Sequence, residues 1–327
     1  MIRRIAPALG LFFLAPLVAE FLLGNLPITM LPAIVALAPM YGGGALLIRE
    51  LARRRGLGWP NILILAAAYG VIEEGLTTQS LFNPNYADAH LLADGYVPQL
   101  GIGVPWTIFV IGLHVFWSVG TPIVMVESLA GERRTTPWLG RTGLVVTAVL
   151  FAIGIAVTSA INMTLWPYTS TAAQFAVTGV VVAALIAVGL FVRIGLPKPR
   201  TGAQAPSAWI VLIATLIAGG VFEGVATLDA LPTWAGVALL LVPVAGFFAL
   251  AARWSAAGTW GDAHRLAIGA GGLLTYAWHS FIESPTGAAN AVVDLVGNAI
   301  FTLGALALIW VAARRLRRRS APTVFPA

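Results

Sequence analysis

An almost uninterrupted apolar run occupies residues 104–129, VPWTIFVIGLHVFWSVGTPIVMVESL, with one imidazole in its middle. A helix needs about 20 consecutive apolar residues to cross the hydrocarbon core of a bilayer. This run exceeds that length, and similar segments accompany it along the chain. The predicted spans are residues 5–23, 31–48, 61–80, 104–129, 142–162, 172–192, 207–227, 234–252, 266–283 and 289–312. The sequence therefore predicts an all-α fold, a polytopic transmembrane helix bundle of about ten spans.

The overall composition is typical of the same class. Of 327 residues, 59% are hydrophobic and only 10% are charged, whereas a soluble domain carries about 25% charged residues. The lipid bilayer is therefore a predicted partner. The net charge of +6 comes from short basic clusters between apolar runs, a pattern of membrane topology that argues against nucleic-acid binding. The chain has no cysteine, which excludes disulfides, thiol nucleophiles and cysteine metal ligands.

The positive charges predict the orientation of the spans. If the N-terminus is cytoplasmic, the segments on that side are residues 1–4, 49–60, 130–141, 193–206, 253–265 and 313–327, and all 19 Lys and Arg residues fall within them. Cytoplasmic loops carry such an excess of positive charge. We therefore predict a multi-pass protein of the cell membrane with both termini in the cytoplasm. Glu50 and Glu127, at the cytoplasmic ends of two spans, are predicted to pair with nearby arginines at the interface.

A Pro-rich polar segment divides the spans unequally. Residues 195–206, GLPKPRTGAQAP, form a predicted cytoplasmic linker. Residues 1–194 are predicted to form a six-span bundle with a long outer loop at 81–103, and residues 207–327 a four-span bundle with a basic cytoplasmic tail. Loops as long as 81–103 are often functional or lid-like, and an ordinary surface loop is the equal alternative.

Ionisable residues inside the spans are the main indication of a functional site. They are Glu20, Glu73, Glu74, His114, Glu223, His279, Glu283 and Asp294. A charged side chain near the bilayer centre costs about 2.5–3.5 kcal/mol on insertion scales, and such residues generally face the bundle interior. Every Lys and Arg lies in a predicted cytoplasmic segment. These carboxylates must therefore pair with histidine, bind a cation or take up a proton.

Spacing along the helices refines this expectation. His279 and Glu283 are four residues apart and share one helix face, where they can hold a metal, orient a water or pair with each other. Glu73 and Glu74 are adjacent and point about 100° apart on an α-helix, so we expect only one of them to enter a given pocket. Three other acids lie closer to the outer interface, where solvation is the simpler explanation: Glu20, Glu223 and Asp294.

The acidic pair Glu73-Glu74, His114 in the next span, and His279 followed four residues later by Glu283 form a recognisable series. It resembles the EExxxR, FxxxH and HxxxN or HxxxD motifs of the CAAX-protease and bacteriocin-processing (CPBP) superfamily of membrane-embedded proteases. The resemblance implies a glutamate that activates water, with histidine and amide groups that stabilise the oxyanion. Three positions depart from the pattern, with the family residue in parentheses: Thr78 (Arg), Val110 (Phe) and Glu283 (Asn or Asp).

Three functions are open at this point. The first is an intramembrane hydrolase, a glutamate-type peptidase, with Glu73 or Glu74 as general base and the histidines orienting the water or the substrate carbonyl. The second is a transporter or channel for protons, a metal ion or an organic cation, in which Pro122 and the glycines at 42–44 provide helix breaks. The third is a non-catalytic assembly subunit.

The same candidate residues serve the first two functions: Glu73, Glu74, His114, His279 and Glu283. A divalent metal at this Glu/His cluster is chemically reasonable, and a peptide or a cationic small molecule is the expected substrate. The sequence has no nucleotide-binding loop, HExxH zinc helix or GxSxG elbow, which excludes a single-chain ATP-driven pump and the familiar hydrolase classes.

Overall fold

The computed structural model describes residues 2–195, 200–225, 228, 231–286 and 290–320. Part of the predicted linker, residues 196–199, and the end of the predicted basic tail, residues 321–327, lie outside the described residues. The α-helices are α1 (Ile2–Pro16), α2 (Ile34–Arg54), α3 (Trp59–Ile72), α4 (Val104–Leu113), α5 (Thr121–Ala130), α6 (Arg141–Leu165), α7 (Ala172–Phe191), α8 (Ala208–Val225), α9 (Thr233–Ser255), α10 (Asp262–His279) and α11 (Ala291–Ser320). The strands described are β1 (Tyr96–Val97) and β2 (Ile102–Gly103), which form an antiparallel hairpin. The all-α prediction is confirmed.

In the described part of the chain, three helices continue into π-helical turns. Leu17–Leu22 extends α1, Glu73–Thr77 extends α3, and His114–Gly120 joins α4 to α5. The chain from α4 to α5 is thus one continuous helix, and Pro122 lies in its first turn after the π-helical segment. The expected break at the glycines 42–44 is wrong. Helix α2 runs through them, and Gly42 allows close packing because a Cβ there would overlap the carbonyl group of Phe12.

The basic segments meet at one end of the bundle, which we call the basic end. Arg133 donates to the carbonyl of Arg4 at 2.8 Å, and Arg319 donates to that of Leu129 at 3.1 Å. Arg134 pairs with Asp262 at 3.4 Å. The grouping is the one that the charge pattern predicts, whereas the assignment of this end to the cytoplasm stays a prediction.

The loops that lie between the basic segments in the sequence meet at the other end of the bundle, which we call the opposite end. The hydroxyl of Thr286 donates to the side-chain oxygen of Asn25 at 2.8 Å, and Asn83 donates to the carbonyl of Trp166 at 3.3 Å. The loop at 81–103 is folded against the bundle there, with Leu81 and Leu92 buried. With α4 and α5 taken as one helix, successive helices therefore alternate in direction between the two ends.

Among the residues that the structure describes, eight helical segments are long and apolar enough to cross a bilayer. They are Arg4–Leu22, Ile28–Arg54, Val104–Thr135, Arg141–Leu165, Ala172–Phe191, Ala208–Val225, Thr233–Ser255 and Ala291–Arg319. At the predicted third and ninth spans the structure has α3 with its π-helical extension, and α10. Both run from the basic end to the opposite end, but they are more polar because they carry Glu73 with Glu74, and Asp262 with Arg265. The total of ten spans stays a prediction.

Helix α10 lies in the interior of the bundle, between helices of the two predicted units. A Cβ at Gly272 would overlap Thr121 of α5, and one at Gly271 would come within 2.6 Å of Thr215 of α8. Glycine at these positions permits close approach of the helix backbones. Polar residues on α10 are thereby placed against protein instead of lipid.

A buried network of ion pairs connects the helices at the basic end. Arg49 contacts Glu50 at 2.6 Å and Glu127 at 3.1 Å, and Arg53 contacts Glu127 at 2.7 Å. The guanidinium of Arg49 lies 3.4 Å from the ring centroid of Trp138. The predicted pairing of both glutamates with arginines is confirmed. Their predicted position at the interface stays a prediction, and the side chains of Arg49 and Glu50 are fully covered by protein.

Candidate functional site

Each of the three π-helical segments carries polar residues of one buried group. Glu20 lies in the first, Glu73 and Glu74 in the second, and His114 begins the third. A π-helical turn replaces the i→i+4 bond by an i→i+5 bond, as in the 2.8 Å bond from the amide of Thr78 to the carbonyl of Glu73. Such turns are rare and often mark functional sites, because they re-aim the side chains around them.

The central cluster consists of Glu73, Glu74 and His114. Nδ1 of His114 lies 3.2 Å from a carboxylate oxygen of Glu73, and Nε2 lies 2.7 Å from one of Glu74. The expectation that only one of the two glutamates enters the pocket is therefore wrong. It assumed α-helical geometry, whereas Glu73–Thr77 form a π-helical turn, and both carboxyl groups contact the same imidazole, one at each nitrogen.

Hydroxyl groups surround the central cluster. Ser80 and Thr78 both donate to the second carboxylate oxygen of Glu74, Thr78 at 3.0 Å. Ser118 lies 3.1 Å from Nδ1 of His114, and Trp106 donates to the hydroxyl of Ser80 at 3.3 Å. Thr78, which stands where the CPBP pattern has arginine, thus contributes a neutral donor to a carboxylate.

Glu20 extends this group of acids. It is 9% exposed, and its two oxygens accept hydrogen bonds from the hydroxyl of Tyr41 and from the amide of Asn25, the latter at 2.6 Å. The expectation that water solvates Glu20 is wrong, because protein donors replace water. Tyr69 adds a second buried hydroxyl beside Glu73. Neither that hydroxyl nor Oε2 of Glu73 has a hydrogen bond of regular geometry.

The peripheral cluster consists of Glu223, His279 and Glu283. Nε2 of His279 lies 3.0 Å from Glu283 and 3.8 Å from Glu223. The side chain of Glu283 is 36% exposed, whereas Glu223 has no exposed surface. Solvation therefore does not explain Glu223. Asp294 is half-buried, and its second oxygen is 3.4 Å from the amide nitrogen of Asn298.

The predicted site residues thus fall into two groups. Glu73, Glu74 and His114 meet, whereas the contacts described for His279 are with Glu223 and Glu283. Two residues lie between Glu20 and the surroundings of the peripheral cluster. Tyr276 lies within electrostatic range of Glu20 and of Glu223, and Asn25 bonds to both Glu20 and Thr286, which follows Glu283 in the chain.

Sequence reasoning missed Tyr41, Tyr69 and Ser80. The sequence feature that could have identified them is a hydroxyl-bearing side chain within or at the end of an apolar span. Tyrosine in a membrane protein is ordinarily assigned to the interfacial belt. Only the packing of α2 and α3 against His114 brings the two phenol rings, with centroids 6.3 and 5.6 Å from the imidazole, to the site.

The central cluster offers a ligand set for a metal ion. One donor atom from each of Glu73, Glu74 and His114 lies within 4.8 Å of the others, and all three residues are buried. Two carboxylates and one imidazole are suitable ligands for Mn²⁺, Fe²⁺ or Zn²⁺. The same groups can hold protons, since an imidazolium between two carboxylates is a compact hydrogen-bonded arrangement.

Comparison with known proteins gives one match. The model of a protein family spans residues 9–319, nearly the whole chain. The chain belongs to an uncharacterized membrane protein family. Membership of this family, together with the apolar helices, identifies it as a polytopic integral membrane protein in contact with the lipid bilayer. The family match carries no link to the CPBP superfamily. No curated protein and no solved structure matches the chain.

Proposed function

We propose that this membrane protein transports a divalent metal cation in exchange for protons, and that Glu73, Glu74 and His114 bind the cation. The observation that carries the proposal is the convergence of three metal-ligating atoms within 4.8 Å in a buried position. Intramembrane Glu and His residues at such positions commonly mark ion pathways. None of the contacts described for these three side chains is with Lys or Arg.

The charge of the central cluster favours exchange of a metal for protons. Glu73, Glu74 and a neutral His114 would carry two negative charges in the bundle interior, which a divalent ion compensates. Without the metal, protons must supply that compensation, because an uncompensated buried carboxylate is costly. Metal ligands must be deprotonated, so binding of the ion releases protons. One set of side chains therefore serves both ions.

The arrangement of the two ends favours access from the opposite end. At the basic end the interior is occupied by the ion pairs of Arg49 and Arg53 with Glu127, so the acids there are already neutralised by arginine. Towards the opposite end the central cluster is followed by Ser80, at the start of the loop 81–103. Glu283 of the peripheral cluster reaches the surface on the same side.

Uptake into proteoliposomes tests the proposal. Vesicles that contain the wild-type chain and a trapped metal-sensitive dye should accumulate Mn²⁺ or Zn²⁺ and export protons. Glu74→Gln should abolish both movements, because it removes a ligand and its charge while preserving the shape of the side chain. Glu132→Gln, at an exposed acid of the basic end, is the matched control and should transport normally. Equal uptake by wild type and Glu74→Gln would refute the proposal.

An intramembrane peptidase is the second candidate. The observation that favours it is the contact of the Glu73–Glu74 pair with His114, as the CPBP resemblance implies. In that function His279 belongs to the same active site, so His279→Ala should abolish peptide cleavage as completely as Glu74→Gln does. In the transport function His279→Ala leaves the metal ligands in place and should retain metal binding. Cleavage of peptides by the wild type, lost in both variants, would favour the peptidase.

A further inference from the structure

The peripheral cluster joins a fully buried carboxyl group to an exposed one through a single imidazole. Glu223 lies near the end of α8 with no exposed surface, and Glu283 lies just beyond α10 with a 36% exposed side chain. His279 is positioned between them, with Nε2 3.0 Å from Glu283 and 3.8 Å from Glu223. This geometry links the surface at the opposite end to the bundle interior.

Glu223 differs from the other buried acids in its surroundings. Neither of its oxygens has a hydrogen bond, and Nδ1 of His279 also has none. Glu20, by contrast, accepts bonds from a hydroxyl and an amide. A buried carboxylate without donors is far more costly than a neutral carboxylic acid. The ionisable groups that face Glu223 among the described residues are His279, Glu283 and Tyr276.

We propose that Glu223 is a proton-binding site which is loaded from the aqueous phase through Glu283 and His279. The Glu283 carboxylate takes a proton from a hydronium ion, which leaves a water molecule. The carboxylic acid passes that proton to Nε2 of His279: the O–H bond of Glu283 breaks, an N–H bond forms, and the carboxylate is restored. The imidazolium then turns towards Glu223, the N–H bond breaks, and an O–H bond forms on the buried carboxyl group. No electrons are exchanged, and the ligand throughout is a proton.

The distances set the order of these steps. The contact between His279 and Glu283 is already at hydrogen-bond length, whereas the 3.8 Å separation from Glu223 must shorten by about 1 Å before a proton can pass. Rotation of the imidazole therefore gates the loading of Glu223. The peripheral cluster acts in this way whatever ion occupies Glu73, Glu74 and His114, because it shares none of their side chains.

Infrared difference spectroscopy of the full-length protein in lipid tests the proposal. A protonated Glu223 contributes a carboxylic-acid C=O band at neutral pH that shifts when H₂O is exchanged for D₂O. The band should be absent in Glu223→Gln and present in the control Glu132→Gln. In His279→Gln its isotope shift should slow by about 100-fold, the lower end of what a positioned proton-transfer group contributes. Glu283→Gln, at a half-buried position next to the surface, should slow the shift and keep the band.

Two results would overturn this assignment. One is a wild-type spectrum with no carboxylic-acid band that Glu223→Gln removes, since Glu223 would then be ionised. The other is an isotope shift as fast in His279→Gln and Glu283→Gln as in the wild type, since protons would then reach Glu223 by another route. If Glu223→Gln does not fold, the two exchange rates in the remaining variants decide the question.

Discussion

Replacement of Arg49 by methionine is expected to lower the free energy of unfolding by about 3–5 kcal/mol, the usual loss when one partner of a buried ion pair is removed. Methionine fills much of the same space, so the lost stability comes from removal of the charge and not from a cavity. Glu50 would lose its closest cationic partner among the described residues, and Glu127 would keep its contact with Arg53. The ring of Trp138 would also lose the guanidinium stacked on it.

Arg54→Met is the matched control. The side chain of Arg54 is 28% exposed and lies 3.7 Å from Glu50, so its loss should cost less than about 1 kcal/mol. Unfolding of both variants in detergent micelles, followed by circular dichroism against denaturant, gives the comparison. Equal stability of the two variants would show that the buried network does not hold the basic end together.

Replacement of His114 by alanine is expected to have an effect of similar size, again about 3–5 kcal/mol. The imidazole contacts Glu73 through one nitrogen and Glu74 through the other. Without it, two buried carboxyl groups face each other with no shared donor. His264→Ala, at the basic end, is the control. That imidazole accepts from the amide of Gly261 at 3.0 Å and lies 2.9 Å from the carbonyl of Pro206, and the loss of these two neutral contacts should cost about 1–2 kcal/mol.

A second substitution separates charge from packing. In the His114→Ala background, Glu73→Gln removes one of the two unpartnered acids and should restore part of the lost stability. The expected coupling between the two positions is about 1–3 kcal/mol. Strict additivity of the two substitutions would contradict the central cluster as described.

The fold was predictable because the length of each apolar run and the position of each basic cluster can be read directly from the sequence. An apolar run as long as 104–129 is stable only in a bilayer or in the interior of a helix bundle. The basic clusters lie between such runs and indicate which ends of the helices are on the same side. The grouping of the clusters at one end follows from that alternation. Polar residues can also be accommodated on α10, because its glycines allow neighbouring helices to pack closely and cover them.

The candidate site was predictable only in part. Glu73, Glu74 and His114 could be selected because ionisable residues in apolar spans are costly. Their exact relation could not, because the i→i+5 turn at Glu73–Thr77 is a consequence of tertiary packing with no simple sequence signal. The burial of Glu20 and Glu223 was missed for a related reason. Position along a helix gives depth in the membrane, but not which face is covered by protein.

The central claim is that Glu73, Glu74 and His114 bind a divalent cation and release protons as they do so. Calorimetric titration of the purified protein with Mn²⁺ or Zn²⁺, in two buffers of different ionisation enthalpy, measures both events. We expect one ion per chain with proton release, an affinity at least about 100-fold lower in Glu74→Gln, and unchanged binding in Glu132→Gln and His279→Ala. No saturable binding by the wild type, or equal binding by Glu74→Gln, would contradict the account.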